Sequence, residues 1–418
     1  MERIAVKAPS AGLWRHSEFN KLLAGQTISL FGSQVTFLAL PLTAVLTLKA
    51  NAAQMGLLGA AQYLPFLLVG LFAGVWVDRR RRRPILMWAD LGRALLLGSI
   101  PLVALLGRLQ MAQLYLIGFL TGILTIVFDV THQSFLPALV GREELIAGNS
   151  RLQASASIAQ IGGPGLAGIV VQIFTAPLAI FVDALSFLVS VLFLSLIRTP
   201  EPPVAPRAAG RSIWAEIGEG MRVVVGNPLL RAIAGCTATS NLFSFMMQAV
   251  LILYVTRELG MSPALIGIIF GVGSVGALLG SLLAGHVARR FGLGRAIIGG
   301  IALALFANLL IPLAAKPLNF AVPLLIAVEL VGGIGSAVYN INQVSLRQSI
   351  TPDRLLGRMN ASMRFIVWGT IPAGSLIGGF LGKAIGLRPT ITVAVIGDLL
   401  AILWVPLSPV RTLRSSAQ

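Results

Sequence analysis

The sequence is short of almost everything a water-facing surface needs. Only 11% of its 418 residues are charged, and only 15 are acidic. A soluble domain carries roughly 25% charged residues. Cysteine occurs once, as Cys236, so no internal disulfide can form, and its apolar surroundings read as simple packing. The three histidines, His16, His132 and His286, are scattered, and no His/Cys metal set exists. There is no Gly-x-x-x-x-Gly-Lys-Ser/Thr loop, so ATP is not the expected energy source. No nucleophile, base and orienting group cluster together either. An enzyme is not expected, and neither is a cofactor or a metal.

What is present is apolar: 56% of the residues are hydrophobic, and mean hydropathy is +0.87. A membrane helix needs about 20 mostly apolar residues. The sequence predicts twelve, at 20–46, 54–77, 85–106, 112–135, 149–173 and 178–197, then 229–256, 264–287, 296–314, 320–346, 360–384 and 390–408. The first run is too long for a cleaved signal peptide and is expected to remain as a span. The fold class expected is all-α integral membrane.

The net charge of +17 does not point to nucleic acid, because the basic residues sit between the apolar runs. They alternate. Loops on the N-terminal side hold 25 of the 32 Lys and Arg, while Lys49, Arg108, Arg257, Lys316, Lys383 and Arg388 lie opposite and Arg93 lies within a span. The positive-inside rule then puts both termini in the cytoplasm.

The spans repeat at an offset of 211 residues. Leu67, Leu68, Leu71, Ala73, Gly74 and Arg79 recur as Leu278, Leu279, Leu282, Ala284, Gly285 and Arg290. Gly163 and Gly168 face Gly374 and Gly379 across the same offset. The organisation expected is therefore two pseudo-symmetric six-helix bundles, 1–197 and 229–418, joined by a cytoplasmic linker, 198–228. The linker opens with a proline-rich stretch from Thr199 to Pro206 that cannot be helical. Ile213, Trp214, Ile217, Met221, Val224 and Val225 then fall at helical spacing, which predicts a short amphipathic helix.

Gly74-Val75-Trp76-Val77-Asp78-Arg79-Arg80-Arg81-Arg82-Arg83 after the second span resembles the loop signature of the major facilitator superfamily, with Arg81 in place of its glycine. Gly162-Gly163-Pro164-Gly165-Leu166-Ala167-Gly168 is similar to the antiporter signature of that superfamily's exporters. Phe181 to Phe187, Asn227 to Arg231 and Leu13-Trp14-Arg15 resemble the enterobactin-exporter and macrolide-efflux branch. The resemblance implies the major facilitator fold, a bacterial plasma (inner) membrane location and secondary transport by alternating access. It also implies gating by Asp78, Arg79, Arg82 and Arg83 against the start of span eleven around Arg358, and a pivot at Gly162, Gly163, Pro164 and Gly168.

Five acids fall within spans, where a charge costs roughly 2.5–3.5 kcal/mol to insert. Asp90 lies three residues before Arg93, which predicts a local ion pair. Asp183 and Asp398 are expected to hydrogen-bond to neighbours. By the resemblance, spans one, four, seven and ten line the cavity, which makes Asp129 and Glu329 the proton-coupling candidates. A capping or gating role for Asp129 is the alternative. Substrate-cavity candidates are Gln26, Phe31, Gln34, Phe37, Tyr115, Phe119, Asn241, Phe245, Met246, Gln248, Tyr339, Asn340 and Asn342, each aromatic among them being equally at home in packing. The expected function is proton-coupled efflux of amphipathic drugs or secondary metabolites, siderophore- or macrolide-like. The alternative is an importer or lipid-type transporter of the same fold. The expected partners are a small amphipathic substrate and membrane lipids, with no nucleic acid and a monomeric protein.

Overall fold

The computed structural model describes residues 16–77, 80–141, 144–199 and 213–413. Leu13 to Arg15, Asp78, Arg79, Pro200 to Pro206 and the side chains at 213–217 lie outside the described residues. Helices α1 (Ser17–Leu42), α2 (Ala52–Leu68), α3 (Gly70–Val77), α4 (Arg82–Leu105), α5 (Met111–Leu139), α6 (Leu145–Phe174) and α7 (Ala176–Ser195) come first. Helix α8 (Ile213–Gly226) follows in the linker region. Then come α9 (Pro228–Leu253), α10 (Pro263–Phe291), α11 (Leu293–Asn308), α12 (Leu318–Ile350), α13 (Asp353–Ile385), α14 (Leu387–Asp398) and α15 (Leu400–Trp404). No strand occurs among the described residues.

Eleven stretches among the described residues are long and apolar enough to cross a bilayer as helices, α14 and α15 together making one of them. The expected span at 54–77 differs: it arrives as two pieces, α2 of 17 residues and α3 of 8, with Val69 between them. Pro65 deletes one donor from the ladder and Gly70 is a weak helix former. Val69 N–H still bonds Pro65 O at 2.8 Å, and Phe72 N–H then turns back to Val69 O at 2.9 Å. Elsewhere the helix starts follow side-chain chemistry. Asn51 and Gln54 exchange a reciprocal capping box at α2, while Asn227 and Ser262 cap α9 and α10 just ahead of Pro228 and Pro263.

The sequence repeat is written into the backbone. Helices α1 and α9, α2 and α10, α4 and α11, and α7 and α14 all begin 211 residues apart. The first helix of each set winds into a π turn at matching positions, Thr43–Thr47 and Tyr254–Glu258. Left-handed residues match as well: Lys49 (φ 54°) with Gly260 (φ 75°), and Thr175 (φ 79°) with Gly386 (φ 94°).

Two ends of the bundle are fixed by polar ties. At the terminal end, Lys21 Nζ donates to Leu196 O at 2.9 Å, Arg198 N–H donates to Glu18 at 2.7 Å, and Gly294 N–H donates to Leu413 O at 3.1 Å. At the opposite end, Arg257 donates to Ala50 O at 2.8 Å, Arg388 to Pro312 O at 2.7 Å, and the Tyr254 hydroxyl to Ala314 O. Large apolar side chains such as Trp88, Leu105 and Leu282 are about 70% exposed on the outer surface. That exposure suits acyl chains rather than water.

The expected Asp90–Arg93 ion pair is present and buried. Its guanidinium lies between Phe128 and Phe187, 4.5 and 4.2 Å from their ring centres. A buried pair flanked by aromatic faces trades water for cation–π contact.

Candidate functional site

The helices α1–α7 meet α9–α15 mainly along two seams, α2 against α13 and α6 against α10. Both seams are tightest toward the opposite end, where backbone meets backbone. A Cβ on Gly56 would fall 2.5 Å from Ser375 O and 2.7 Å from the Gly379 Cα. A Cβ on Gly168 would fall 2.6 Å from Pro263 O and 2.9 Å from the Gly267 Cα. Only glycine permits such an approach. Arg257 and Ala50 add a polar tie across the same end.

Away from this seal the helices part. From α2, Tyr63 meets Phe245 of α9 (4.9 Å between centroids) and Phe66 meets Trp368 of α13 (4.7 Å). Along the α6/α10 seam, Ser157 and Gln160 of α6 and Ser274, Leu278 and Ser281 of α10 line a cavity. This central cavity has a volume of about 650 Å³ and extends from the seal toward the terminal end. Gln34, Phe37, Phe245, Gln248 and Glu329, all singled out in the sequence, line it. Pro164 of the Gly-Gly-Pro motif lines it too.

Among the described residues, Glu329 is the only charged one in the lining. It leans on Gly273, where a Cβ would stand 2.6 Å from its Oε2. The equivalent pair in the first copy, 211 residues earlier, is Gln62 with Gly118: there the glycine is on the later helix and Gln62 is the polar side chain. Gln62 borders a small adjoining pocket of about 70 Å³, shared with Phe37, Phe245 and Gln248. One interface thus carries a large polar residue opposite a glycine in both copies, with the roles exchanged.

The other sequence candidates are placed elsewhere. Asp129 is exposed, outside the cavity lining, with Arg93 and Arg364 as the charges that bear on it. Gln26 and Phe31 on α1 are half-buried, Phe31 touching Gly162. Tyr115 and Phe119 are half-buried on α5, a helix that packs on α2 and α4 and supplies no lining residue. Asn241 donates to Val367 O at 2.9 Å, Met246 is buried, and Tyr339 is buried against Thr237 at 2.6 Å. Asn340 is exposed, and buried Asn342 donates to Val338 O at 2.8 Å.

Helices α6 and α10 were not anticipated as walls, although Ser157, Gln160 and Pro164 recur at helical spacing, as do Ser274, Leu278 and Ser281. That polar stripe was the available signal. Asn308 and Ser244 complete the polar lining without one.

The antiporter-like motif holds both neighbours of α6. Gly163 meets α1, where a Cβ would fall 2.4 Å from the Cβ of Gln34, while Gly168 meets α10. At the terminal end Arg83 donates to Leu194 O (2.8 Å) and Ser195 O (2.5 Å), tying α4 to the C-terminus of α7. Arg82 opens α4. Arg358 pairs at 2.5 Å with Glu219 of α8, and Gly220 lies against the Arg358 carbonyl. So the linker helix engages the start of α13. Asp78 and Arg79 are outside the described residues.

Comparison with known proteins agrees with this architecture. Residues 9–418 match the family described as Transmembrane secretion effector. The multidrug efflux pump Tap of Mycolicibacterium fortuitum is 28% identical over 373 residues, covering 86% of this chain and 88% of that protein. The enterobactin exporter EntS of Salmonella typhi is 26% identical over 381 residues, covering 88% and 85%. A solved structure of a bacterial homologue of the human lysosomal transporter Spinster, inward-facing and occupied, superposes with a TM-score of 0.74 at 13% identity, over 95% of this chain and 97% of that one. A duplicated all-helical bundle, a cavity between its halves and a family match over nearly the whole length converge: the chain belongs to the transmembrane secretion effector family of major facilitator transporters.

Proposed function

We propose that the protein is a proton-coupled exporter of bulky amphipathic drugs or secondary metabolites, lying in a bacterial inner membrane with both termini in the cytoplasm. The observation that carries this reading is the cavity between the halves, sealed at one end by glycine backbone, with Glu329 as its only charged lining residue among those described. Phe37, Phe245, Phe270 and Leu251 offer apolar faces to a large ring system, and Gln34, Gln160, Gln248 and Asn308 offer hydrogen bonds. Glu329 is the group that exchanges a proton with the cavity; Asp129, on another face, is a gating residue near Arg364. Transport follows when the halves rock, so that the glycine seams part and the terminal end closes. Relatives named for multidrug and enterobactin export support the outward direction. The proton gradient supplies the energy, with no resident cofactor and no catalytic step.

The test is accumulation of radiolabelled erythromycin, a macrolide probe, in inside-out vesicles under an imposed pH gradient. Wild type is expected to accumulate it when the interior is acidic. Glu329→Gln is expected to lose gradient-driven accumulation but keep exchange between labelled and unlabelled probe, and Asp129→Asn to remain coupled. Gradient-driven accumulation intact in Glu329→Gln would overturn the coupling assignment. Accumulation that ignores the gradient would overturn antiport itself.

A further inference from the structure

Behind the cavity wall lies an acid that the scheme above does not use. Asp398 closes α14 and is 3% exposed. Ser244 Oγ, on α9, donates to its Oδ2 at 3.1 Å, and Ser240 one turn earlier faces the same carboxyl. Its Oδ1 has no hydrogen-bond partner. The approach depends on the residue before it: a Cβ on Gly397 would fall 2.2 Å from the Phe243 ring, so glycine alone lets α14 sit this close to α9.

Two features set this acid apart. First, no charged side chain among the described residues bears on it; the titratable groups alongside are the buried thiol of Cys236 on α9 and, beyond that thiol, the Tyr339 hydroxyl on α12. Asp90, by contrast, has Arg93. Second, its partner Ser244 is itself a lining residue of the central cavity. A buried carboxyl with no described counter-ion thus stands one hydroxyl away from the cavity.

We infer that Asp398 is a positioning residue that acts through Ser244, setting whether the cavity wall offers a hydrogen-bond acceptor or a donor. The inference rests on the proton-antiport reading and adds a second responsive group to it. The chemistry is that of a hydroxyl with one hydrogen and two lone pairs. When the carboxyl is ionised, Ser244 gives its hydrogen to Oδ2 and presents only lone pairs to the cavity. When the carboxyl takes a proton from a hydronium ion in the cavity, releasing water, it donates to Ser244 Oγ instead. The Ser244 hydrogen then turns toward the cavity. No heavy atom has to move. Substrates with a hydroxyl or ammonium donor at this wall are favoured by the ionised state and released by the protonated one, which is the order that antiport requires.

The test uses the full chain in lipid nanodiscs and needs two readouts. Infrared difference spectra across a pH titration report the carbonyl stretch of protonated carboxylic acids. One titrating band is expected to vanish in Asp398→Asn and to shift in Ser244→Ala. Measured on a Glu329→Gln background, so that the cavity acid adds no pH dependence of its own, erythromycin affinity is expected to vary about tenfold across the titration, the worth of one hydrogen bond. Asp398→Asn and Ser244→Ala are each expected to flatten that dependence to less than twofold, and the double variant to do no more than either. Asp183→Asn, a buried acid away from the lining, is expected to keep the parent profile. The proposal is overturned if Ser244→Ala leaves both band and pH profile unchanged, or if Asp398→Asn removes no band. Should Asp398→Asn not fold, the Ser244→Ala spectrum alone decides. If erythromycin binds with the expected pH profile yet wild type accumulates none under a gradient, antiport fails while this assignment stands.

Discussion

Thr175 offers a direct measurement of how far the two copies have drifted. It is the single residue between α6 and α7, with φ 79° and ψ 156°, and its side chain is exposed and caps neither helix. The turn is imposed from both sides: Thr175 N–H bonds Val171 O at 3.1 Å, and Ala179 N–H bonds Thr175 O at 3.0 Å. A β-branched residue in this glycine-type region carries about 1–3 kcal/mol of strain. The matching position in the second copy holds Gly386, at φ 94° and ψ 167°. Thr175→Gly relieves that strain but gives the unfolded chain more freedom, which takes back about 0.5–1 kcal/mol. A net gain of about 1 kcal/mol is expected, and Gly386→Thr is expected to lose about 1–3 kcal/mol. Equilibrium unfolding of the purified protein in mixed micelles with increasing SDS reads both. If Thr175→Gly were neutral or destabilising and Gly386→Thr cost nothing, the strain argument would be refuted.

Two further outcomes follow from packing and charge. Gly168→Val drives a side chain into the Pro263 carbonyl and the Gly267 backbone, and overpacking of this kind costs about 1–3 kcal/mol. Cysteine-accessibility labelling in cells is expected to show the seam around α6 and α10 shifted toward the parted state; unchanged labelling would argue against the seal. Arg93→Met is expected to cost about 3–5 kcal/mol by stranding Asp90, and Asp90→Asn on that background to recover much of it. An additive double-mutant cycle in the same SDS titration would show that the pair is not coupled.

The fold was largely legible. An offset of 211 residues predicted a duplication, and the helix starts, π turns and left-handed residues repeat it. The break at Val69 was not legible, because Pro323 and Pro372, with several glycines, lie inside other helices here without splitting them. The site was legible by residue type and obscure by direction. Glu329 stood out as an acid in an apolar run. Tyr339 and Asn342 looked equally eligible but are buried and lie outside the cavity lining. A helix with lipid on one side and protein on the other is apolar all round, so it shows no amphipathic period from which to read a facing direction. Ser244 was missed for that reason, and with it the role of Asp398.

The glycine seal also has an electrical consequence. In the proposed cycle, a water-filled cavity that runs from the terminal end up to the seal would carry the potential of that compartment deep into the protein. The membrane voltage then falls across the thin, dry stretch beyond Glu329, where Leu251, Val255, Ile266, Ile269 and Leu325 pack closely. When the seams part and the terminal end closes, the steep part of the field moves to the other side of the same carboxyl. A proton held on Glu329, as the proposed mechanism has it, would cross most of the voltage while its carrier barely moves, and each 100 mV contributes about 2.3 kcal/mol per elementary charge. On that proposed mechanism the protein moves the field past the charge rather than the charge through the field.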